Sequence, residues 1–278
     1  MKKRNLILMA SAAGVILAGL PYGRIDTSCY EIRSAKIHHD IKMCVLADVH
    51  CRRFGENQSR IVKRIKEMNP DLIIIAGDLF DYDRNYEISF ELIDALKDYP
   101  VYFTSGNHDV YLEKDIDALR KRLKEKGVHV LEDQGEVVQV HDEMIEIYGM
   151  SDHGRKPVIQ ASDLRYMYYT DNFRILISHR PNYIEFYRQA PVDLIISGHA
   201  HGGQWRIPFM HKGIYAPQLG LFPKYTEGMH ETGGHWFLIT RGLASGKLWL
   251  PRLYNNPEIC LVTLKGEDDE VTTKGKVS

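Results

Sequence analysis

The chain is short of cysteine, of net charge and of low-complexity linker, and each shortage removes a class of protein. Cys29, Cys44, Cys51 and Cys260 are too few and too unevenly spaced in 278 residues for a disulfide-built scaffold. A Cys29–Cys260 bridge stays open for an exported domain. Cys44 lies inside an apolar run and reads as a small core residue, and Cys51 as a buried loop thiol next to His50. Thirty-six basic and 37 acidic side chains leave a formal charge of -1, so no overall field draws nucleic acid and none is expected as a partner. There is no His-Glu-x-x-His, which removes the zincin proteases. The stretch Gly242-Leu-Ala-Ser-Gly-Lys247 has one residue too few between its glycines for a P-loop, and Leu248 stands where Ser or Thr is needed. With no internal repeat and no Pro/Ser/Gly-rich break, a chain that is 44% hydrophobic reads as one large domain.

One long apolar run is present, at the start. Lys2-Lys3-Arg4 precedes Leu6–Leu20, which carries no charge and ends at Pro21. That is the layout of a signal-anchor or a cleaved signal peptide. Ala18-Gly19-Leu20 puts Leu where cleavage wants a small residue, and the basic residues place the N-terminus inside with the domain exported. The expected division is 1–23 signal-anchor or signal peptide, 24–40 linker or lead-in, 41–265 folded domain, and 266–278 a polar, disordered tail. The expected location is the cell membrane with the domain outside, or secretion after cleavage.

The rest is organised by short apolar runs that end in acids, Asn and His. Asp48 and His50 follow Ile41–Ala47; Asp78 follows Leu72–Gly77; Asn107, His108 and Asp109 follow Val101–Gly106; His179 follows Ile175–Ser178; His199 and His201 follow Leu194–Gly198. Such runs read as buried strands. Helical spacing between them predicts helices over 57–69, 87–96, 112–126 and 182–188. Strand–helix alternation giving way to many strands predicts an α/β fold, a four-layer αββα sandwich of two mixed β-sheets flanked by helices. Ligands of open α/β sheets bind beyond the carboxyl ends of strands, so five such ends predict one metal-binding cluster. Mixed imidazole and carboxylate donors suit Mn, Fe, Zn, Co or Ni better than Ca or Mg. His38, His39, His129, His141, His211, His230 and His235 read as surface or packing residues.

Five blocks carry a resemblance: Asp48-Val-His50, Gly77-Asp-Leu-Phe-Asp81, Gly106-Asn-His-Asp109, His179 in Ser-His-Arg-Pro, and Gly198-His-Ala-His201. In this order the chain resembles the calcineurin-like metallophosphoesterases from about Lys42 to Leu264. The resemblance implies two divalent metal ions, one held by Asp48, His50, Asp78 and His201, the other by Asp78, Asn107, His179 and His199, with Asp78 bridging. It implies attack on a phosphoester by a metal-bridging hydroxide, so that no protein nucleophile is needed. His108 is placed as general acid and Asp109 as the carboxylate that orients it. Asp81 is placed as a hydrogen-bond acceptor behind a ligand. Arg52, Arg53 and His153 are candidate substrate contacts. Gly198–Gln204, Arg241–Gly246, Pro251-Arg252 and Asn256–Ile259 resemble a narrower group, bacterial membrane-associated phosphoesterases of the YaeI/YkuE type. An envelope or lipid-linked phosphoester is the implied substrate. A UDP-2,3-diacylglucosamine-type pyrophosphatase and an inactive metal-binding scaffold are the alternatives. The apolar residues between Trp205 and Phe222 either flank the pocket or pack on the sheets.

Overall fold

The computed structural model describes residues 20, 23–152, 167, 170–207, 212–216, 219–244 and 251–267. Strand β1 (Asp26–Arg33) is followed by β2 (Ile41–Leu46), helix α1 (Ser59–Met68), β3 (Leu72–Ala76), α2 (Glu87–Ala95), β4 (Val101–Thr104), the single turn α3 (Asn107–Val110), α4 (Ile116–Glu125) and β5 (His129–Val130). Then come β6 (Gln134–Val140), β7 (Glu143–Met150), β8 (Phe173–Ser178), the one-turn α5 (Ile184–Tyr187) and β9 (Leu194–Ser197). Two small hairpins follow, β10 (Arg206–Ile207) with β11 (Lys212–Gly213) and β12 (Tyr215–Ala216) with β13 (Gly220–Leu221). Strands β14 (Gly228–Thr232), β15 (His235–Ile239) and β16 (Glu258–Lys265) complete the described elements.

Two six-stranded mixed sheets result, ordered β1-β16-β2-β3-β4-β5 and β14-β15-β9-β8-β7-β6. Between them lies one apolar layer, with Met43, Val45 and Ile74 from the first sheet against Ile147, Ile175 and Ile196 from the second. Helices α1, α2 and α4 cover the outer face of the first sheet through Ile61, Ile65, Phe90, Leu119 and Leu123. The outer face of the second is covered by α5, through Ile184 and Tyr187, and by loops. This is the expected four-layer αββα arrangement. The central strands β3 and β8 are buried along their whole length, because each packs on both faces, whereas edge strand β6 alternates. Burial of each large aliphatic side chain contributes about 1.5–3 kcal/mol, and the central runs supply most of it. Helix α1 ends at Asn69, left-handed at φ 46°, before Pro70.

Two expectations change. The segment 24–40, expected as a lead-in, carries β1, which pairs in parallel with β16 from Asp26↔Glu258 to Arg33↔Lys265. Its residues alternate between exposed and partly covered positions, which marks it as an edge strand with one covered face. The cysteines are all free, Cys29 exposed and Cys260 buried; Cys29 lies opposite Leu261 and Cys260 opposite Ser28, so the two thiols do not face one another. The apolar start (residues 1–19) and most of the tail (268–278) lie outside the described residues. Among the described residues no helix is long and apolar enough to cross a membrane.

Candidate metal centre

The loops leaving β2, β3, β4, β8 and β9 converge where the two sheets meet. Asp48, His50, Asp78, His199 and His201 all adopt left-handed φ, between 46° and 65°. Non-glycine residues rarely accept this conformation, and it turns their side chains out of the strand path and inward. The close approach of the loops requires glycine. A Cβ on Gly106 would come within 2.3 Å of Asp78 Oδ1, and one on Gly77 within 2.5 Å of His179 Nδ1.

The seven expected ligand residues are brought together, each between 0 and 7% exposed. Asp48, His50 and His201 offer one set of ligand atoms mutually within 4.8 Å; Asp78, His179 and His199 offer a second. Asp78 Oδ2 sits between them, 3.5 Å from His50 Nε2 and 3.1 Å from His179 Nε2. Neither approach has hydrogen-bond geometry. Asp78 Oδ2, Asn107 Oδ1 and the Nε2 atoms of His50, His179 and His199 are buried without a hydrogen-bond partner. Buried polar atoms left unpaired are costly, and two desolvated carboxylates facing imidazole lone pairs are explained by cations held between them. The His179 tautomer agrees: its Nδ1 donates to Ala76 O at 2.8 Å, leaving Nε2 as the free ligand atom. The donor set therefore fits two divalent metals.

Electrostatics divide the ligands. Burial, then the charges of His179 for His199 and of Arg252 for His201, hold both imidazoles well below their usual pKa, so they stay neutral. Burial alone would push Asp78 up, but the charge of His179 beside it, with those of His108 and His50, holds it well below the usual carboxylate range. Burial opposes protonation of His179, yet Asp78 beside it raises its pKa to about 10. A cation at Nε2 would displace that proton.

Behind the ligands the structure reassigns two acids. Asp109, expected to orient His108, instead accepts from the backbone N–H groups of Phe80 and Gly106, both at 2.8 Å, and so ties the β3 and β4 loops together. Burial and the charge of Asp78 raise its pKa. Asp81 holds the ring: its Oδ1 lies 3.0 Å from His108 Nδ1 and its Oδ2 3.4 Å from His50 Nδ1. One carboxylate thus holds His108 by a hydrogen bond and faces the imidazole of His50 without one, and the two rings meet edge to face at 4.6 Å. Burial would lower the pKa of His108, but the Asp81 hydrogen bond and the charge of Asp78 outweigh it and raise it to about 9. His108 is the partly open member, its side chain 31% exposed.

Of the candidate substrate contacts, Arg53 is tied to Glu91 at 2.7 Å on α2, and the structure does not bring it to the cluster. Arg52 is half-buried beside Arg84 and Asp81. His153 lies outside the described residues. Cys51 is buried against Ser89 and takes no part in either ligand set. Five of the histidines read as surface or packing residues bond outside the cluster: His39 to Glu143, His129 to Glu136, His141 to Asp71, His230 to Glu227 O, and His235 to Val192 O.

Sequence reasoning gave no role to Arg252, which is fully buried. Its guanidinium donates to Arg241 O at 2.6 Å and Ala244 O at 2.9 Å and lies 3.4 Å from His201 Nδ1. The 241–244 loop that it fastens rests on the cluster: a Cβ on Gly242 would come within 2.3 Å of Asp48 Oδ2. Gly242–Ala244, the described start of the stretch that imitates a P-loop, belong to this covering strap. Asn255 donates to His201 O at 2.7 Å. The signal was present in Pro251-Arg252 and Asn256–Ile259 as a resemblance, but nothing in the spacing said that these residues fold back under His201.

This constellation defines a metal-dependent hydrolase of phosphoesters. The calcineurin-like phosphoesterase family model matches residues 41–203, more than half of the chain, and the protein belongs to that family. It is 31% identical to Phosphodiesterase YaeI of Escherichia coli (strain K12) over 234 residues, 80% of this chain and 82% of that protein. It is 30% identical to the uncharacterized metallophosphoesterase YkuE of Bacillus subtilis (strain 168) over 275 residues, 92% of this chain and 94% of that one.

Proposed function

We propose that the protein is a dimetal phosphodiesterase acting on an envelope or lipid-linked phosphoester. The observation that carries the reading is the pair of ligand sets, Asp48, His50 and His201 beside Asp78, His179 and His199, with Asp78 Oδ2 lying between them and buried donor atoms left unpaired in both. Asp48, His50, Asp78 and His201 would hold one metal, and Asp78, Asn107, His179 and His199 the other. The nitrogen–oxygen donor mix favours Mn, Fe, Zn, Co or Ni. Bound there, two cations supply water activation at neutral pH and charge neutralisation on the phosphoryl group. The chain's own residues do the rest. His108, protonated and held by Asp81, donates a proton to the leaving oxygen, and Asp109 keeps the Gly106–His108 backbone in place for it. Retention of every ligand together with His108 disfavours an inactive scaffold. A diester is favoured by the resemblance to a phosphodiesterase.

The lipid-linked part of the reading rests on the loops beside His201. Trp205 and Tyr215 are each 38% exposed, and Leu221 and Phe222 are 69% and 65% exposed. Exposed apolar side chains on the loops that follow His201 in the chain suit an acyl or prenyl substituent. The sequence of Lys2–Leu20 supports an N-terminal membrane anchor with the catalytic domain outside. The test is a turnover screen of the Mn-supplemented full chain on nitrophenyl phosphodiester, nitrophenyl phosphomonoester and phospholipid-type diesters. Faster diester turnover, improved by a lipid substituent, is expected; turnover of the monoester alone would reject the reading. Protease added to intact cells or spheroplasts should digest the domain while sparing a cytoplasmic control. Protection until lysis would reverse the orientation and put a nucleotide–sugar–lipid pyrophosphatase first.

A further inference from the structure

Away from the metal centre, a cleft of about 910 Å³ opens where the chain enters β1. Arg24, Arg60, Lys63 and Arg64 line it, opposed by Asp26 and Glu67, with Arg241 at its floor. Arg241 is neutralised by Asp26, Glu227 and Glu258, and Glu67 is shared by Lys63 at 3.9 Å and Arg64 at 3.6 Å. Arg24 and Arg60 pair with no acidic group among the described residues. The exposed face of α1 carries Arg60, Lys63, Arg64 and Lys66 against Glu67 alone, while its buried face supplies Ile61 and Ile65 to the core. In a protein of formal charge -1 this is a local excess of cations, in a place the fold does not need it.

The cleft's position says what the excess is for. The Arg60 guanidinium lies against Gly23, where an added Cβ would be 3.0 Å from Nη1. In sequence, Gly23 follows the end of the apolar run at Leu20 by three residues, at most about 10 Å of chain. That is comparable with the ~8 Å Debye length at physiological salt. Cations this close to an embedded segment stand within about one Debye length of the lipid surface, where salt screens them only in part, and Arg and Lys near such a surface attract anionic headgroups. A guanidinium pair presents the forked donors that a headgroup phosphate accepts.

We propose that this basic cleft is a docking site for the phosphate headgroups of anionic glycerophospholipids, and that it sets the catalytic domain down on the bilayer beside its own N-terminal segment. The inference rests on the reading that residues 6–20 enter a bilayer. Arg24, Arg60, Lys63 and Arg64 take no part in the metal centre or in the strap over it, so docking and catalysis are separable.

The test reconstitutes the full chain in vesicles of phosphatidylcholine, alone or mixed with phosphatidylglycerol, and follows amide hydrogen exchange over residues 23–28 and 59–68. Slower exchange in the anionic vesicles only, reversed by high salt, is expected. It should be lost in the variant combining Arg24→Gln, Arg60→Gln, Lys63→Gln and Arg64→Gln, whose turnover of a soluble nitrophenyl phosphodiester should equal that of the unaltered chain. Equal exchange in both vesicles, or retention of the response by the variant, overturns the proposal. So does equal protection by inorganic phosphate in neutral vesicles, which would make the cleft a free-anion site. Failure of the chain to stay with neutral vesicles overturns both the anchor reading and this inference, whereas association without a phosphatidylglycerol response overturns this inference alone.

Discussion

The two sheets build opposite halves of the metal centre by different means. Loops of the first sheet supply Asp48, His50, Asp78, Asn107 and His108, and behind them stand more acids: Asp81 under the two imidazoles and Asp109 across the loop backbones. Loops of the second sheet supply the imidazoles His179, His199 and His201, and behind these stand arginines. Arg180 is buried with Asp152 at 3.1 Å, and Arg252 is fastened to the carbonyls of the strap. One half therefore concentrates anionic ligands; the other keeps His199 and His201 neutral through burial and neighbouring cations. The field runs across the centre, and a divalent ion pair between the halves would balance it. Burying carboxylates is expensive unless something cationic meets them, so the acid-backed half should be the more dependent on metal.

Substitutions on the two sides should differ accordingly. The largest effect belongs to Asp78→Asn, which removes the shared charge between both ligand sets; metal content by elemental analysis and turnover should both fall by orders of magnitude. Two metals and normal activity in that variant would end the bridging assignment. Next, His108→Ala should slow esters with poor leaving groups by about 10²–10⁴-fold and nitrophenyl esters far less. Equal losses on both would remove the acid role. Asp81→Asn should follow at about 10–100-fold in metal affinity or turnover, with leaving-group dependence shifted in the direction seen for His108→Ala. If Asp109→Asn alone produced that shift, the assignment of Asp81 as the positioning residue would be wrong. On the arginine-backed side, Arg252→Met strips donors from several buried carbonyls and should destabilise the fold by about 3–5 kcal/mol, read as a lowered urea midpoint, with a milder loss of metal. Smallest of all, Arg53→Ala breaks only the exposed pair with Glu91 and should change stability by less than about 1 kcal/mol and turnover not at all. A large loss of turnover there would restore Arg53 to the substrate.

The ligand residues were legible because the rule that reads them is local. An apolar run followed by Gly-Asp, Gly-Asn-His or Gly-His-x-His fixes strand, strand end and donor in a few residues. The same locality misled at Asp109. Adjacency to His108 suggested the orienting carboxylate, but one turn of helix carries a neighbouring side chain away, and Asp81, 27 positions earlier in the chain, reaches the ring. Strand β1 was missed for a related reason: its mostly polar run resembles a linker until β16, over two hundred residues later, is known to lie beside it.

By itself, then, the order of buried runs and polar ends determined the α/β class, the family and the metal-binding residue types, since each depends on short-range pattern. Only the tertiary structure decided which acid holds His108, that Arg252 and the 241–244 strap close over the ligands, and that α1 gathers its cations beside the chain's entry into the sheet. Each of these is a meeting of residues far apart in sequence. Such meetings are set by which faces pack and which backbone groups must be satisfied, quantities that no local spacing records.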